Sequence, residues 1–410
     1  MKKMKLFLKK LYNKLPKSLK TRIKNFYLNL YNIYNFFVII KRKEFLIKII
    51  KNNNFEKIKG IIIYLPTIDW DTEIFQRPHQ ISIELSRRQY LVFFITPNSK
   101  ENIKGFKKIN NNLFVTDSPI SSFNILKNYN FKIIIYISWP SNVVLIKYFK
   151  IKNYILLYDI IDELEIFYGY CDEMIKQHEY LLKYSNIILT TADNLFKKAK
   201  FIRKDAVLCP NGCDYNHFHN FEKETEIPYD LKNLICKNNI IIGYHGSLAE
   251  WIDYELLKYI ALNIKNSKLI LIGPDYDGSL QKSNILNIKN IYWLGSKNYV
   301  DLPKYIKWFD VAILPFKKNK ITESTSPIKM FEYMAAQIPI VSVDLSEPKK
   351  YKSVLIAKNY NEFIELIFKA KDLKNNNEYL SLIDKEAKEN SWENRVKLID
   401  DIIQNKFNDK

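Results

Sequence analysis

The stretch Thr322-Glu-Ser-Thr-Ser-Pro-Ile-Lys-Met-Phe-Glu-Tyr-Met-Ala-Ala-Gln-Ile-Pro-Ile-Val-Ser342 constrains the architecture more than any other in the chain. Ser326 is a favoured helix N-cap, and Pro327 suits the first helical position, where a backbone N–H would have no intrahelical partner. The residues therefore predict a helix from Pro327 to about Ala336. The apolar run Ile338–Val343 follows at once and reads as a buried strand. Free N–H groups at the helix start point back at a hydroxyl-rich loop, Ser324-Thr325-Ser326, an arrangement that holds a diphosphate without a metal. Lys329, in the first turn, adds a cation. The carboxylate of Glu332, about one and a half turns in, is placed to accept hydrogen bonds from ribose hydroxyls.

Upstream of this helix the same alternation recurs. Asn239–Tyr244, Lys268–Ile272, Ile291–Leu294 and Val311–Leu314 are apolar strand-length runs with helical stretches between them. Leu256, Leu257, Ile260, Ala261 and Ile264 form a stripe of period 3.6 in one of those stretches. A similar series lies earlier: Gly60–Leu65, Tyr90–Ile95, Lys132–Ile137, Tyr154–Tyr158 and Ile187–Thr190, with a helix at Gln80–Ser86. Uninterrupted apolar runs separated by helices indicate parallel strands covered on both faces. The expected fold class is thus α/β, with two Rossmann-like doubly wound parallel-sheet domains. The expected boundaries are 1–55 for a basic arm, 56–225 and 235–390 for the two domains, and 391–410 for a last helix. In such sheets ligands sit at the carboxyl ends of the strands, so residues that follow strands are the candidates.

With 410 residues, 47% hydrophobic and 26% charged, the chain has material for two cores. The net charge of +20 is concentrated: residues 1–60 hold 17 Lys/Arg and 2 acidic residues, leaving about +5 for the other 350. Basic charge gathered in one terminal segment favours an anionic lipid surface over a nucleic-acid groove. In that segment Phe7, Leu11 and Leu15 recur among lysines, and Asn25, Asn29, Asn32 and Asn35 form one polar stripe. Both stretches read as basic amphipathic helices, which either lie in a membrane interface or pack on the protein's own domains. The uncharged run Asn25–Ile40 is shorter than the ~20 apolar residues a span requires. No apolar segment with a small-residue cleavage site follows the basic start. Cys171, Cys209, Cys213 and Cys236 include no second pair at metal-ligand spacing and read as reduced cytosolic thiols.

Six segments, in order, carry a family resemblance. They are Pro210-Asn-Gly-Cys-Asp-Tyr-Asn-His-Phe218, Gly243-Tyr-His-Gly-Ser-Leu-Ala-Glu-Trp-Ile-Asp253, Leu271-Ile-Gly-Pro274, Ile291-Tyr-Trp-Leu-Gly295, Ser326–Val341 and Ser391-Trp-Glu-Asn-Arg395. Together they resemble GT-B glycosyltransferases of the bacterial group that includes capsule, lipopolysaccharide and teichuronic-acid enzymes. The resemblance runs along nearly the whole chain after residue 56. It implies transfer of a sugar from a nucleotide-diphosphate donor to a hydroxyl of a surface-glycan or lipid-linked glycan acceptor, without a metal and with retention at the anomeric carbon. No cofactor is implied beyond the nucleotide-sugar substrate, and nucleic acid is not an expected partner. The implied location is the cytoplasm, peripheral on the inner face of the membrane, with residues 1–55 as the contact. Donor contacts are implied for Gly246, Ser247, Glu323, Thr325, Ser326, Lys329 and Glu332. Many members carry an earlier Glu with seven residues before the second; here Ser324 stands in that place and Glu323 lies one position earlier.

In the first half, Asp69, Asp71, Glu73, Arg77 and His79 crowd the end of the first strand. Asp71 and Arg77 are candidates for acceptor or diphosphate contact, or Arg77 is a helix-end surface charge. Asp159 follows a strand in Asp159-Ile-Ile-Asp162-Glu163, and is either a cleft acid able to take a proton or a helix N-cap. Asp71, Arg77 and Asp159 form the expected catalytic group. Many retaining relatives place a His near Ser138-Trp139-Pro140, where this chain has none. Asp69-Trp70-Asp71 and Asp275-Tyr276-Asp277 match the metal-binding Asp-x-Asp of a different transferase fold, but read here as structural. A sugar-nucleotide epimerase on the same scaffold, or a degenerate protein that binds glycan without turnover, remains an alternative.

Overall fold

The computed structural model describes residues 37–51, 57–99, 101–167, 169–220, 226–235 and 239–408. Two α/β domains follow one another. The first sheet contains β1 (Gly60–Tyr64), β2 (Tyr90–Ile95), β3 (Phe106–Asn110), β4 (Leu113–Thr116), β5 (Ile133–Ile137), β6 (Ile155–Ile160), β7 (Ile187–Thr190) and β8 (Val207–Leu208). Their spatial order is β3-β4-β2-β1-β5-β6-β7-β8. The second sheet contains β9 (Ile240–His245), β10 (Ser267–Ile272), β11 (Ile291–Trp293), β12 (Val311–Leu314), β13 (Ile340–Val343) and β14 (Val354–Ala357), in the order β11-β10-β9-β12-β13-β14.

The pairings are parallel except β3 with β4, an antiparallel pair at the edge. That pair was not expected from the residues. Phe-Lys-Lys-Ile-Asn on β3 is largely solvent-facing, and edge lysines are how a sheet discourages further pairing. The strand order reverses at β1, between β2 and β5, and again at β9, between β10 and β12. Crevices open beyond the carboxyl ends of strands at such reversals, so the segments after Tyr64 and after His245 line the natural binding places.

The helices that matter here are α1 (residues 37–51), α2 (Arg77–Arg87), α3 (Asp172–Tyr184), α4 (Asp193–Ile202), α5 (Tyr254–Asn263), α6 (Ile328–Ala335) and α7 (Trp392–Asn408). On α5 the stripe Leu256, Leu257, Ile260, Ala261 is buried against the second sheet. Helix α1 places Leu46, Ile49 and Ile50 in the first domain's core and pairs Arg42 with Asp117 at 3.0 Å. This part of the basic segment therefore packs on the protein itself. The earlier stretches around Phe7 and Asn25 lie outside the described residues. Among the described residues, no helix is long and apolar enough to cross a membrane.

Helix α7 belongs by packing to the first domain. Trp392, Val396, Ile399 and Ile403 fill one face of its sheet beside Ile81 and Leu85 of α2. The carboxylate of Asp400 accepts from the Tyr90 hydroxyl at 2.7 Å and pairs with Lys59 at 2.6 Å.

Candidate active site

On the second-domain side the site grows from the end of β9. Gly246 has φ +123°, a conformation strained for any residue with a Cβ. A Cβ there would also lie 2.5 Å from the Cε of Lys329. Glycine thus lets the Lys329 side chain lie flat over the turn. The ammonium sits 5.3 Å from the ring centre of Tyr244 and 5.2 Å from that of Phe316. These aromatic faces are its partners; no carboxylate or hydrogen-bond acceptor among the described residues pairs with it. Burial lowers its pKa to about 8, opposed by the negative charge of Glu332.

Three residues along α6, Glu332 is buried, and its Oε2 is 2.6 Å from Nε2 of His245. The neighbouring Tyr333 hydroxyl accepts from the backbone N–H of His245 at 2.8 Å. Adjacent positions on α6 therefore clamp the end of β9, fixing the helix start over Gly246. The Nδ1 of His245 is buried without a hydrogen-bond partner. His245 was not singled out in the sequence; the available signal was its place as the last residue of a strand ahead of Gly246.

The remaining donor candidates are placed differently. The helix begins at Ile328 with Pro327 at the cap and no side-chain cap bond, one residue later than expected. Ser326 does not cap because its hydroxyl accepts from Asn211 N–H at 3.2 Å, and its carbonyl accepts from the Asn211 side chain at 2.6 Å. Thr325 donates to the Ile321 carbonyl at 2.8 Å. Glu323 turns towards the segment after β13, accepting from the Ser346 N–H at 3.0 Å with Lys318 at 3.6 Å. Ser324 donates to Glu163 of the first domain at 2.7 Å. Ser247 contributes its carbonyl to the Tyr244 hydroxyl at 3.0 Å. The structure therefore gathers Gly246, Lys329 and Glu332, while the loop 323–326 mainly bridges to neighbouring segments.

On the first-domain side, Arg77 opens α2 and reaches Asp159 on β6 by two bonds, Nε at 2.7 Å and Nη2 at 3.0 Å. Both side chains are almost fully buried. Tyr136 donates a third bond to Asp159 at 2.7 Å. Asp159 is neither a helix cap nor an open cleft acid. The strand expected to stop at Tyr158 runs on to Ile160, which turns Asp159 inward under α2. Arg77 is no surface charge either: its Nη1 also donates to the Pro210 carbonyl at 3.2 Å and to Asn211 Oδ1 at 3.3 Å. Since Asn211 holds Ser326, one chain of bonds runs from β6 to the start of α6. Asp71 stands apart, exposed and paired with Lys107 of the edge strand at 2.6 Å.

The Asp-x-Asp carboxylates are engaged by neighbouring groups of the protein, Asp71 by Lys107. Asp69 accepts from Ser99 N–H at 3.1 Å and its hydroxyl at 2.5 Å. Asp275 accepts from Leu280 N–H at 3.1 Å and Asp277 from Ser279 N–H at 2.9 Å. Asp162 is the carboxyl that the sequence did not separate from its neighbours. It is half-buried at the cleft end of β6, with no hydrogen-bond or ion-pair partner among the described residues, and its pKa is pushed up to about 7 by burial and by Glu163. Elsewhere the cleft is bridged by Gln80 to Tyr299 at 2.8 Å, Ser296 to Glu73 at 2.8 Å and Lys320 to Glu165.

Two Rossmann-like sheets face each other across a cleft, the last helix returning to the first domain, and this defines the GT-B class. Within it, residues 239–370 match the family described as glycosyl transferases group 1. TuaH of Bacillus subtilis, whose name assigns it as a teichuronic acid biosynthesis glycosyltransferase, is 26% identical over 155 residues. That match spans 38% of this chain and 38% of TuaH. Among solved structures, sucrose-phosphate synthase of Thermosynechococcus elongatus superposes with a TM-score of 0.62 at 13% identity, over 86% of this chain and 100% of that one. HepE of Anabaena in complex with UDP-glucose gives 0.60 at 14% identity, over 84% and 100%. An E. coli trehalose-6-phosphate protein bound with UDP-2-fluoro glucose gives 0.59 at 15%, over 84% and 99%. At these identities the likeness is one of fold.

Proposed function

We propose that the protein transfers a sugar from a nucleotide-diphosphate donor to a hydroxyl of a surface-glycan or lipid-linked glycan acceptor, working at the inner face of the cytoplasmic membrane. The observation that carries this reading is the Lys329 ammonium, without an anionic partner, lying over Gly246 at the sheet reversal with Glu332 three residues on. As the anomeric carbon–oxygen bond to the diphosphate breaks, negative charge grows on the leaving group. Lys329 and the first amides of α6 face that charge in a partly dry site, so no metal is required to stabilise it. Glu332 takes the ribose hydroxyls. The acceptor oxygen forms the new bond on the face the diphosphate leaves, retaining configuration, and its proton passes to the departing diphosphate. Arg77 and Asp159 hold the cleft floor in place, as positioning residues.

The test is thermal shift and donor hydrolysis with UDP-, GDP-, TDP- and CMP-sugars, with and without EDTA. UDP-sugars come first because HepE and the E. coli protein were solved with them. The full chain is used, since residues 46–50 belong to the core. One nucleotide class is expected to stabilise the protein, unchanged by EDTA. No stabilisation by any donor, or stabilisation only with a divalent metal, contradicts the reading.

The protonation of Lys329 gives a further expected result. With its pKa at about 8, raising the pH from about 7 to 9 removes the charge that faces the diphosphate, and donor affinity falls about tenfold. Lys329→Met is expected to bind donor weakly at both pH values, with that dependence gone. A dependence that survives in the variant assigns it to another group.

A further inference from the structure

The first domain carries a second chemical surface, at the end opposite the cleft. Helices α3 and α4 run back along the strands they follow, so their last turns lie by the starts of β6, β7 and β8. There Phe201 is 91% exposed, Ile202 57% and Tyr184 54%. Tyr148, also exposed, lies just ahead of β6. Hydrogen bonds join these pieces into one surface. Arg203, just after α4, donates to the carbonyls of Leu182 and Ser185 at the end of α3, at 2.8 and 2.9 Å. Asn186 accepts from Leu156 N–H on β6 at 2.8 Å. Residues 147–154, 180–186 and 200–205 hold seven Lys or Arg and a single carboxylate, Asp205, which pairs with Arg203 at 2.8 Å. Lys147 and Lys183 lie over the rings of Tyr148 and Tyr184 at 5.0 and 5.2 Å.

Nothing in the sugar-transfer reading uses this surface. Exposed Phe and Ile beside tyrosines and lysines match the boundary of a bilayer, where aromatic bodies sit at headgroup level and ammonium groups meet lipid phosphates. A purely polyanionic partner such as nucleic acid would have phosphate for the lysines but no apolar phase for adjacent Phe201 and Ile202. We propose that this end of the first domain docks on an anionic lipid surface, with Tyr184, Phe201 and Ile202 entering the headgroup boundary and the surrounding lysines pairing with lipid phosphates. This site is built from residues 147–154, 180–186 and 200–205 rather than from the basic residues 1–36, and is independent of the donor reading.

The experiment is co-sedimentation of the full chain with phosphatidylcholine vesicles, with and without phosphatidylglycerol. The wild type is expected to partition onto the phosphatidylglycerol vesicles. Tyr184→Ser/Phe201→Ser/Ile202→Ser is expected to lower that partition about tenfold, with its thermal midpoint and donor binding unchanged because the three side chains are exposed. Lys183→Glu/Lys200→Glu/Lys204→Glu changes charge alone and is expected to give a similar loss, which covers the case of a misfolded first variant. Partition equal to wild type in both variants would overturn the proposal and leave residues 1–36 as the whole contact. So would a wild type indifferent to phosphatidylglycerol, or duplex DNA bound as tightly as the vesicles through the same residues.

Discussion

Glu332→Ala is expected to weaken donor binding by about a hundredfold or more. Two hydrogen bonds from ribose hydroxyls to a buried carboxylate are each worth roughly 1.5–3 kcal/mol, because the acceptor is charged and shielded from water. The variant also removes the 2.6 Å partner of His245 Nε2, leaving neither ring nitrogen with a hydrogen-bond partner among the described residues and loosening the clamp between α6 and β9. Glu332→Gln separates the two effects. It keeps the length that reaches His245 but gives up the charge and one acceptor oxygen, so it is expected to retain the wild-type melting temperature and lose most of the affinity. Isothermal titration with the donor class found by thermal shift reads the result. Donor affinity within twofold of wild type in Glu332→Ala would remove Glu332 from the site.

Arg77→Met is expected to destabilise the first domain by about 3–5 kcal/mol, the usual consequence of leaving one member of a buried pair without its counter-charge. Asp159 would keep only the Tyr136 hydroxyl, in a place water does not reach. Urea unfolding of the variant is expected to show a lower midpoint than the wild type at pH 7. Arg77→Met/Asp159→Leu, which removes both charges, is expected to recover most of the loss. A single variant within about 1 kcal/mol of wild type at pH 7 would show that the pair is not a pin of the cleft floor.

What could be read from the residues follows the physics of each element. β1, β2 and β12 are uninterrupted apolar runs buried on both faces, so local composition was enough to place them. β3 sets the adjacent Lys107 and Lys108 between Phe106 and Ile109 on an exposed edge, without a strand's alternation, and looks like a loop until its partner β4 is known. Asp159 was misjudged because a strand boundary two residues too early turns an inward side chain into a cleft one. Lys329 and Glu332 could be placed because helix periodicity fixes their relation within one turn. Ser326 was assigned to the helix cap by local rules, but a partner 115 residues away took its hydroxyl. Likewise the bond from Ser324 to Glu163 spans 161 residues, beyond any local pattern. Sequence spacing reports what one element does; the contacts between domains appear only when both are folded.

The packing of α7 also sets an order of events during synthesis. The face of the first sheet that Trp392, Val396, Ile399 and Ile403 cover is finished only by residues made after the second domain. β8 ends at Leu208 and α7 begins at Trp392, so nearly the whole second domain is translated in between. At ~5–20 residues per second that interval lasts roughly 10–40 s. For that time the nascent first domain has an open apolar face, a natural substrate for chaperones. A ribosome that stalls before Trp392 releases a chain that lacks the residues needed to cover it.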